Sequence, residues 1–337
     1  MEGCIAREPK RALKGKVKKI IHLVARYLGC SPAELAAERE KAGYSNVVYK
    51  VSHGDTKYLY KEYLANSRDI KELQWQLFFK SPRILYECKT YRIDEYIDHV
   101  ALTKSLFKEE NVLISLAKAL ACIHSEKREL PSAEMDIFYL DRMVQERESL
   151  NSKIKFVRFM QICKKIEKKI DQLYSESLFK DDLCLCHNDL QFGNILILPE
   201  KEAKIIDFEH VSRNIPTVEI ANLFNEASTN YAVRGAPLAK KQHFIQSESA
   251  KIFVKEYLRQ RSNTISVGKF LQEVEKMQSI PHYYWFIWAI QMLLTNKEKG
   301  SLDYFSFAMN RLQYLHRENF ITKNNFKEMQ CIIRNSQ

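Results

Sequence analysis

No apolar run in the 337-residue chain is long enough to cross a bilayer. The longest nearly apolar stretch, Tyr283–Leu294, is interrupted by Gln291 and falls short of the roughly 20 residues a span requires. A soluble protein without a transmembrane segment is expected. The eight cysteines contain no Cys-x-x-Cys pair, and the N-terminus lacks the apolar core and small-residue cleavage site of a secretory signal. These thiols therefore read as reduced residues of a cytoplasmic protein. Cys184, Cys186 and His187 offer only three metal ligands on a short apolar run, so buried thiols on a strand are the expected reading. Internal repeats and low-complexity linkers are also missing. The basic runs Lys14–Lys19 and Lys164–Lys169 lack the interleaved aromatics of a nucleic-acid surface, and no nucleic-acid partner is expected. What remains is 45% hydrophobic and 28% charged residues, ordinary globular usage that excludes a disordered tail, a collagen-like repeat or a coiled-coil rod. The net charge of +11 suits a polyanionic ligand without identifying one.

Hydrophobic periodicity divides the chain. Val17, Ile20, Ile21, Val24 and Leu28 recur at helical spacing with Gly29 as a stop. Met1–Lys16 precedes that helix and is expected to be flexible. Ser31-Pro32-Ala33-Glu34 has the capping-box arrangement. Val47–Val51, Lys57–Tyr63 and Thr90–Ile93 read as strands, the first two joined by a His53-Gly54-Asp55 turn. A helix over Arg68–Phe79 separates the second from the third. Beyond Asp98 the pattern is helical, with long segments at Asn111–Ser125 and Met143–Ser175. A β island interrupts it, with strands at Leu183–Cys186, Asn194–Leu198 and Lys204–Ile206. The expected fold class is α+β: a small β-rich N-terminal lobe over residues 1–97 and a larger, mainly helical lobe over 98–337.

The β island carries the chemistry. His187-Asn188-Asp189-Leu190-Gln191-Phe192-Gly193-Asn194 is followed, after a strand, turn and strand, by Asp207 in Asp207-Phe208-Glu209. Phosphoryl transfer needs a carboxylate to orient the accepting hydroxyl and oxygen ligands to hold Mg²⁺ against a triphosphate. Asp189 and, five residues on, Asn194 supply the carboxylate and an amide oxygen. The short hairpin returns Asp207 as the second metal ligand. A lone Asp or Asn in a loop is a turn former or a cap. The joint pattern H-x-D-x-x-x-x-N, strand, turn, strand, D-F is specific, because residue types and secondary-structure frame agree.

Cys186 to Leu196 resembles the CHNDLQxGNIL run of the choline and ethanolamine kinases, within the wider group of aminoglycoside-phosphotransferase-like kinases. Aminoglycoside kinases more often have Gly where Asn188 stands. Asp207-Phe208-Glu209 is similar to the family's DFE, Glu219–Glu226 to its DI[AG]NHFxE, Trp285–Trp288 to its WxxW, and Asp303–Arg311 to its FDYxxYAxxR. The likeness runs from about Gly43 to Tyr314 and implies a two-lobed, protein-kinase-like fold that uses ATP and Mg²⁺. In the first lobe, Gly43-Tyr44-Ser45-Asn46 resembles the GGxSN phosphate loop, with Ala42 in place of its first Gly. Ser45 and Asn46 would then approach phosphates, Lys61 would contact them, and Glu72 would hold Lys61. Arg92–Ile97 resembles the hinge, where backbone groups around Glu95, Tyr96 and Ile97 would hold adenine. Gln191 would position metal or phosphate.

The same resemblance implies a small amino alcohol as acceptor. Choline's quaternary ammonium donates no N–H hydrogen bond and is best held by aromatic faces with a carboxylate at some distance. Trp285 and Trp288 lie three apart, on one face of a helix. With Glu226, Tyr231 and Phe307 they align with the family's ammonium site. Glu219 stands where the family has an Asp that braces the catalytic loop, Leu223 where it has His, and Ala227 where it has an aromatic. Asn225-Glu226 resembles ethanolamine kinases, while Leu190-Gln191 and Tyr231 resemble choline kinases. The implied reaction is choline to phosphocholine, feeding phospholipid synthesis, with ethanolamine alone or both amino alcohols as the alternative and a homodimer allowed for. An aminoglycoside-like acceptor would demand several acidic residues near the cleft. A non-catalytic nucleotide-binding scaffold would lack Asp189, Asn194 or Asp207.

Overall fold

The first helix, α1 (Lys10–Leu28), starts inside the stretch 1–16 expected to precede it, buries Ile20, Val24 and Ala25 and ends where the spacing predicts. Gly29 adopts φ 69°, which lets the Cys30 N–H donate back to the Ala25 carbonyl at 3.1 Å. That is the left-handed helix stop glycine makes possible without a Cβ penalty. The Ser31 capping box is present, with Ser31 and Glu34 each bonding the other's end of the turn. It opens only a single 3₁₀ turn, however, and the chain then extends as β1 (Leu35–Arg39). Pairing of β1 with the next strand and entry of Leu35 into the core override the local helix signal.

In the computed structural model, residues 10–39, 47–63, 70–130, 132, 135–150, 157–230, 238–239, 246–295 and 303–335 are described. They belong to two units: Met1–Val100 with Ile206–Glu209, and Ala101–Ile205 with His210–Gln337. In the first, β2 (Val47–His53), β3 (Thr56–Glu62), β4 (Ile84–Glu87) and β5 (Tyr91–Glu95) join β1 in an antiparallel sheet of order β1-β2-β3-β5-β4. Helix α2 (Ile70–Phe79) lies between β3 and β4 in the chain. Strand β4, absent from the sequence reading, is only half-buried, so its hydrophobic alternation is weak. Successive strand residues face opposite sides, and this divides the sheet's labour. Tyr49, Val51, Tyr60 and Ile93 turn to α1 and form the core. Lys61 and Arg92, one step along in the same register, turn to the other face. Phe208, from the returning segment, stacks on Phe79 with ring centroids 4.3 Å apart.

A two-residue strand, β6 (Val100–Ala101), leads into the second unit. There α3 (Glu110–His124), α4 (Tyr139–Ser149) and α5 (Val157–Glu176) precede the short strands β7 (Cys184–Cys186), β8 (Ile195–Ile197), β9 (Ala203–Ile205) and β10 (Ser212–Asn214). Helices α6 (Pro216–Ser228), α7 (Glu248–Gln260), α8 (Val267–Met277), α9 (Ser279–Thr295), α10 (Tyr304–Arg317) and α11 (Lys323–Arg334) follow. The periodic stretch Met143–Ser175 is thus two helices, not one. Residues 151–156 between them lie outside the described residues. Arg147 of α4 reaches Glu167 of α5 through two parallel bonds of 2.9 and 3.0 Å. A pattern in which both helices bury apolar residues cannot by itself reveal the break. Helix α9 is apolar on nearly all sides and correspondingly buried, the expected state of a central helix. No helix among the described residues is long and apolar enough to cross a membrane.

Candidate active site

The loop that follows β7 is held from three sides. β7 pairs antiparallel with β10, which fixes where the chain emerges at His187. Asn188 then takes φ 64°, a left-handed backbone that glycine adopts freely and Asn tolerates better than other residues. That geometry accounts for Asn and Gly being the alternatives at this position. The buried Asn188 amide donates to Cys186 O at 3.0 Å and Ser212 Oγ at 2.9 Å, and accepts from Asn214 Nδ2 at 2.8 Å. From α6, the fully buried Glu219 accepts the backbone N–H groups of His187 (3.0 Å) and Asn188 (2.5 Å). Its longer arm reaches the loop backbone that the resemblance assigns to an Asp.

Glu219 is itself held by His124, whose Nε2 lies 2.6 Å from Oε2 while its Nδ1 meets the Tyr257 hydroxyl at 2.7 Å. Burial pushes the Glu219 carboxyl up, but the hydrogen bond and charge of His124 prevail and hold it below its ordinary value. His124 is lifted well above an ordinary imidazole: burial opposes the charge, and the neighbouring Cys184 and Glu219 outweigh it. Cys184 is lowered in turn by the hydrogen bond with Cys186, against burial, and by the positive His124.

Asp189 is buried at the centre of this loop. Its Oδ2 accepts from Gln191 Nε2 at 3.0 Å and from Asn194 Nδ2 at 2.7 Å. Asn194 Nδ2 also donates to the Asp189 carbonyl at 2.9 Å. With its NH₂ committed to Asp189, the Asn194 amide has its oxygen left as the atom suited to a hard cation. His187 Nδ1 accepts the Asp189 N–H at 3.2 Å, so His187 braces the turn.

The same unit gathers aromatic rings. Trp285 and Trp288 meet edge to face with centroids 5.5 Å apart. Trp288 also faces Tyr304 at 5.7 Å and Phe307 at 6.2 Å. Trp285 donates its indole N–H to Asn222 at 3.3 Å. Glu226 is buried against Arg311, at 3.2 Å. Arg311 further covers the Phe307 ring at 4.6 Å and donates to His282 Nδ1 at 3.0 Å. Burial and the positive Arg311 keep His282 well below its ordinary pKa, and so neutral. Tyr231 lies outside the described residues.

In the first unit Lys61 and Glu72 form the expected buried ion pair. Arg92 shares the same Glu72 oxygen at 3.0 Å and binds Asp94 through Nε at 2.9 Å, so the pair is part of a four-residue network. Glu95 accepts the Arg83 N–H at 2.8 Å and Tyr96 lies beneath Lys50 and Lys57. Ile97 is half-buried beside them in the chain, and its carbonyl accepts from His99 at 2.7 Å. Asp207 adopts φ 69°, an uncommon backbone for a residue with a Cβ. Ser45 and Asn46 lie outside the described residues.

Residues 38–316 match the family described as choline/ethanolamine kinase. The chain belongs to the choline/ethanolamine kinase family. Among this family's members, the probable choline kinase 3 of Arabidopsis thaliana is 27% identical over 239 residues, which cover 69% of this chain and 67% of that protein. Solved structures share the fold, among them the following two. The choline kinase of Cryptosporidium parvum superposes with a TM-score of 0.74 at 20% identity, over 94% of this chain and 99% of its own. The ethanolamine kinase of Plasmodium vivax gives 0.70 at 18%, over 95% and 94%. The fold of this chain is therefore the protein-kinase-like one, with a β-rich unit and a helical unit. Tyr304 escaped the sequence reading as a member of the aromatic group. The signal was Asp303, whose side chain caps α10 by accepting the Ser306 N–H at 3.0 Å. The helix therefore starts at Tyr304, and Tyr304 and Phe307 fall on one face. Arg92, Arg311 and His124 were missed because a buried countercharge leaves no local pattern.

Proposed function

We propose that this protein transfers the γ-phosphoryl group of ATP to the hydroxyl of choline, forming phosphocholine for phospholipid synthesis, and that it acts in the cytoplasm. Asp189 orients the choline hydroxyl and accepts its proton as the phosphoryl group departs. Gln191 and Asn194 hold the Asp189 carboxylate, and the Asn194 oxygen and the Asp207 carboxylate are the Mg²⁺ ligands, a hard-oxygen set suited to that ion. Mg²⁺ bound to them supplies charge neutralisation for the triphosphate. Lys61 contacts the phosphates and Glu72 fixes its position. Ser45 and Asn46 approach the phosphates, and the backbone of Glu95, Tyr96 and Ile97 receives adenine. Residues 1–97 serve as the nucleotide lobe and 98–337 as the lobe for catalysis and acceptor binding.

The observation that carries the choice of choline is the aromatic group Trp285, Trp288, Tyr304 and Phe307 beside a Glu226 already paired with Arg311. Arg311 offsets much of the carboxylate's pull, so an incoming cation is held mainly by ring faces. A quaternary ammonium suits ring faces, whereas a primary ammonium also needs hydrogen-bond acceptors. Tyr231 belongs to the same proposed pocket. ADP release by the purified protein with MgATP should be well above background with choline and lower with ethanolamine. The reverse order would shift the assignment to ethanolamine, with Glu226 as the principal contact. Trp288→Leu should raise the choline KM about 10- to 30-fold, the equivalent of a desolvated cation–π contact of roughly 2 kcal/mol. Its KM for ATP should move little, and equal changes in both would mean that Trp288 only packs.

A further inference from the structure

Behind the catalytic loop lies a cluster that phosphoryl transfer does not use. Cys184 and Cys186 stand two apart on β7, so their side chains share one face of the strand. Their sulfurs are 3.6 Å apart. His124, at the end of α3, brings a ring nitrogen to the same point, and one ligand atom from each of the three residues lies within 4.8 Å of the others. All three side chains are buried. In a C-x-C-H segment His187 is the obvious third ligand, but it turns to the Asp189 N–H instead. The fold supplies His124 from sixty residues upstream.

We propose that His124, Cys184 and Cys186 form a thiolate–imidazole site for a soft divalent cation, with Zn²⁺ the best match. At a Zn–S distance of about 2.3 Å, two thiolates on a tetrahedral zinc sit about 3.8 Å apart, close to the separation observed. A histidine that binds a metal through one nitrogen generally donates its other N–H to a carboxylate, and His124 Nε2 already meets Glu219 at 2.6 Å. The ligating atom is then Nδ1, the nitrogen beside the Tyr257 hydroxyl at 2.7 Å. Tyr257, whose hydroxyl lies against that nitrogen, is accordingly the oxygen available as fourth ligand. Thiolates and imidazole suit zinc and are poor ligands for Mg²⁺, so this site would not compete for the catalytic cation. A disulfide fits less well: residues two apart on a strand are about 6.6 Å apart at Cα, near the upper limit for that bond. A metal here ties α3 to the strand that delivers His187, while Glu219 continues to hold the loop's N–H groups.

The test uses the full chain purified without chelator, equilibrated with Zn²⁺, freed of loose metal by gel filtration and analysed by elemental mass spectrometry. About one zinc per chain is expected, and X-ray absorption on the same wild-type sample should report two sulfur neighbours. Replacing zinc with Co²⁺ should give thiolate-to-cobalt charge-transfer absorption. Cys184→Ser should lose the metal, while a Cys122→Ser/Cys331→Ser protein, altered only at exposed thiols, should keep it. Less than about a tenth of a zinc per chain, a metal shell without sulfur, or full retention by a folded Cys184→Ser protein would each overturn the site. The wild-type absorption measurements decide the matter even where Cys184→Ser does not fold.

Discussion

An Asp189→Asn protein should bind MgATP nearly as wild type does and turn over about 10²- to 10⁴-fold more slowly, the usual contribution of a positioned general base. The size of the effect follows from the geometry of the loop. Asp189 is buried, and Oδ2 is directed by two amide donors, Gln191 Nε2 and Asn194 Nδ2. Those bonds set the carboxylate at one angle, and the proposed mechanism has the same group accept the proton of the substrate hydroxyl. An amide in its place has the same shape but cannot accept a proton, and one end of it opposes the NH₂ groups that Asp189 receives. Single-turnover phosphorylation of choline separates the chemical step from nucleotide binding, and a melting curve confirms that the variant is folded. A folded Asn variant with an unchanged rate would remove Asp189 from the role of base.

Glu219→Ala should cost stability of about 3–5 kcal/mol, the usual penalty for breaking a fully buried ion pair. The carboxylate accepts from the His187 and Asn188 backbone and from His124 within one buried space. Its removal leaves buried His124 without its carboxylate partner and two buried N–H groups without an acceptor. Urea unfolding should show the loss directly, and a midpoint within experimental error of wild type would refute it. Glu219→Gln separates charge from shape. The folded Glu219 carboxyl lies below its ordinary value of 4.5, so on acidification the unfolded chain takes up its proton first. The stability that Glu219 contributes is complete above about pH 5 and is lost as pH falls through the lowered folded value. The Gln protein, less stable at neutral pH, should therefore lose less on going from pH 5 to pH 3 than wild type does. Parallel pH curves would show that Glu219 is not charged in the fold.

Much of the molecule was legible because its signals are local. The period of α1 and its Gly29 stop, the β2–β3 hairpin and the short island around His187–Asn194 each depend on residues within a few positions of one another. The H-x-D-x-x-x-x-N spacing likewise encodes Asp189 and Asn194 as partners, since a five-residue loop can bring the two side chains together by itself. Lys61 with Glu72 needed the family resemblance, because one lies on a strand and the other on a helix. The capping box at Ser31 shows the limit from the other side: it is formed in full, yet the strand pairing of Leu35–Arg39 ends the helix after one turn.

By itself the sequence determined the β-rich then helical order of the chain, the loop that joins Asp189 to Asn194 and the family to which the chain belongs. Only the tertiary structure decided the countercharges: Arg92 on Glu72, Arg311 on Glu226, His124 on Glu219, and His124 rather than His187 beside the two thiols. The reason is physical. A buried charge must be compensated, but a packed fold can draw the compensating group from any distance along the chain, and only its three-dimensional contacts say from where.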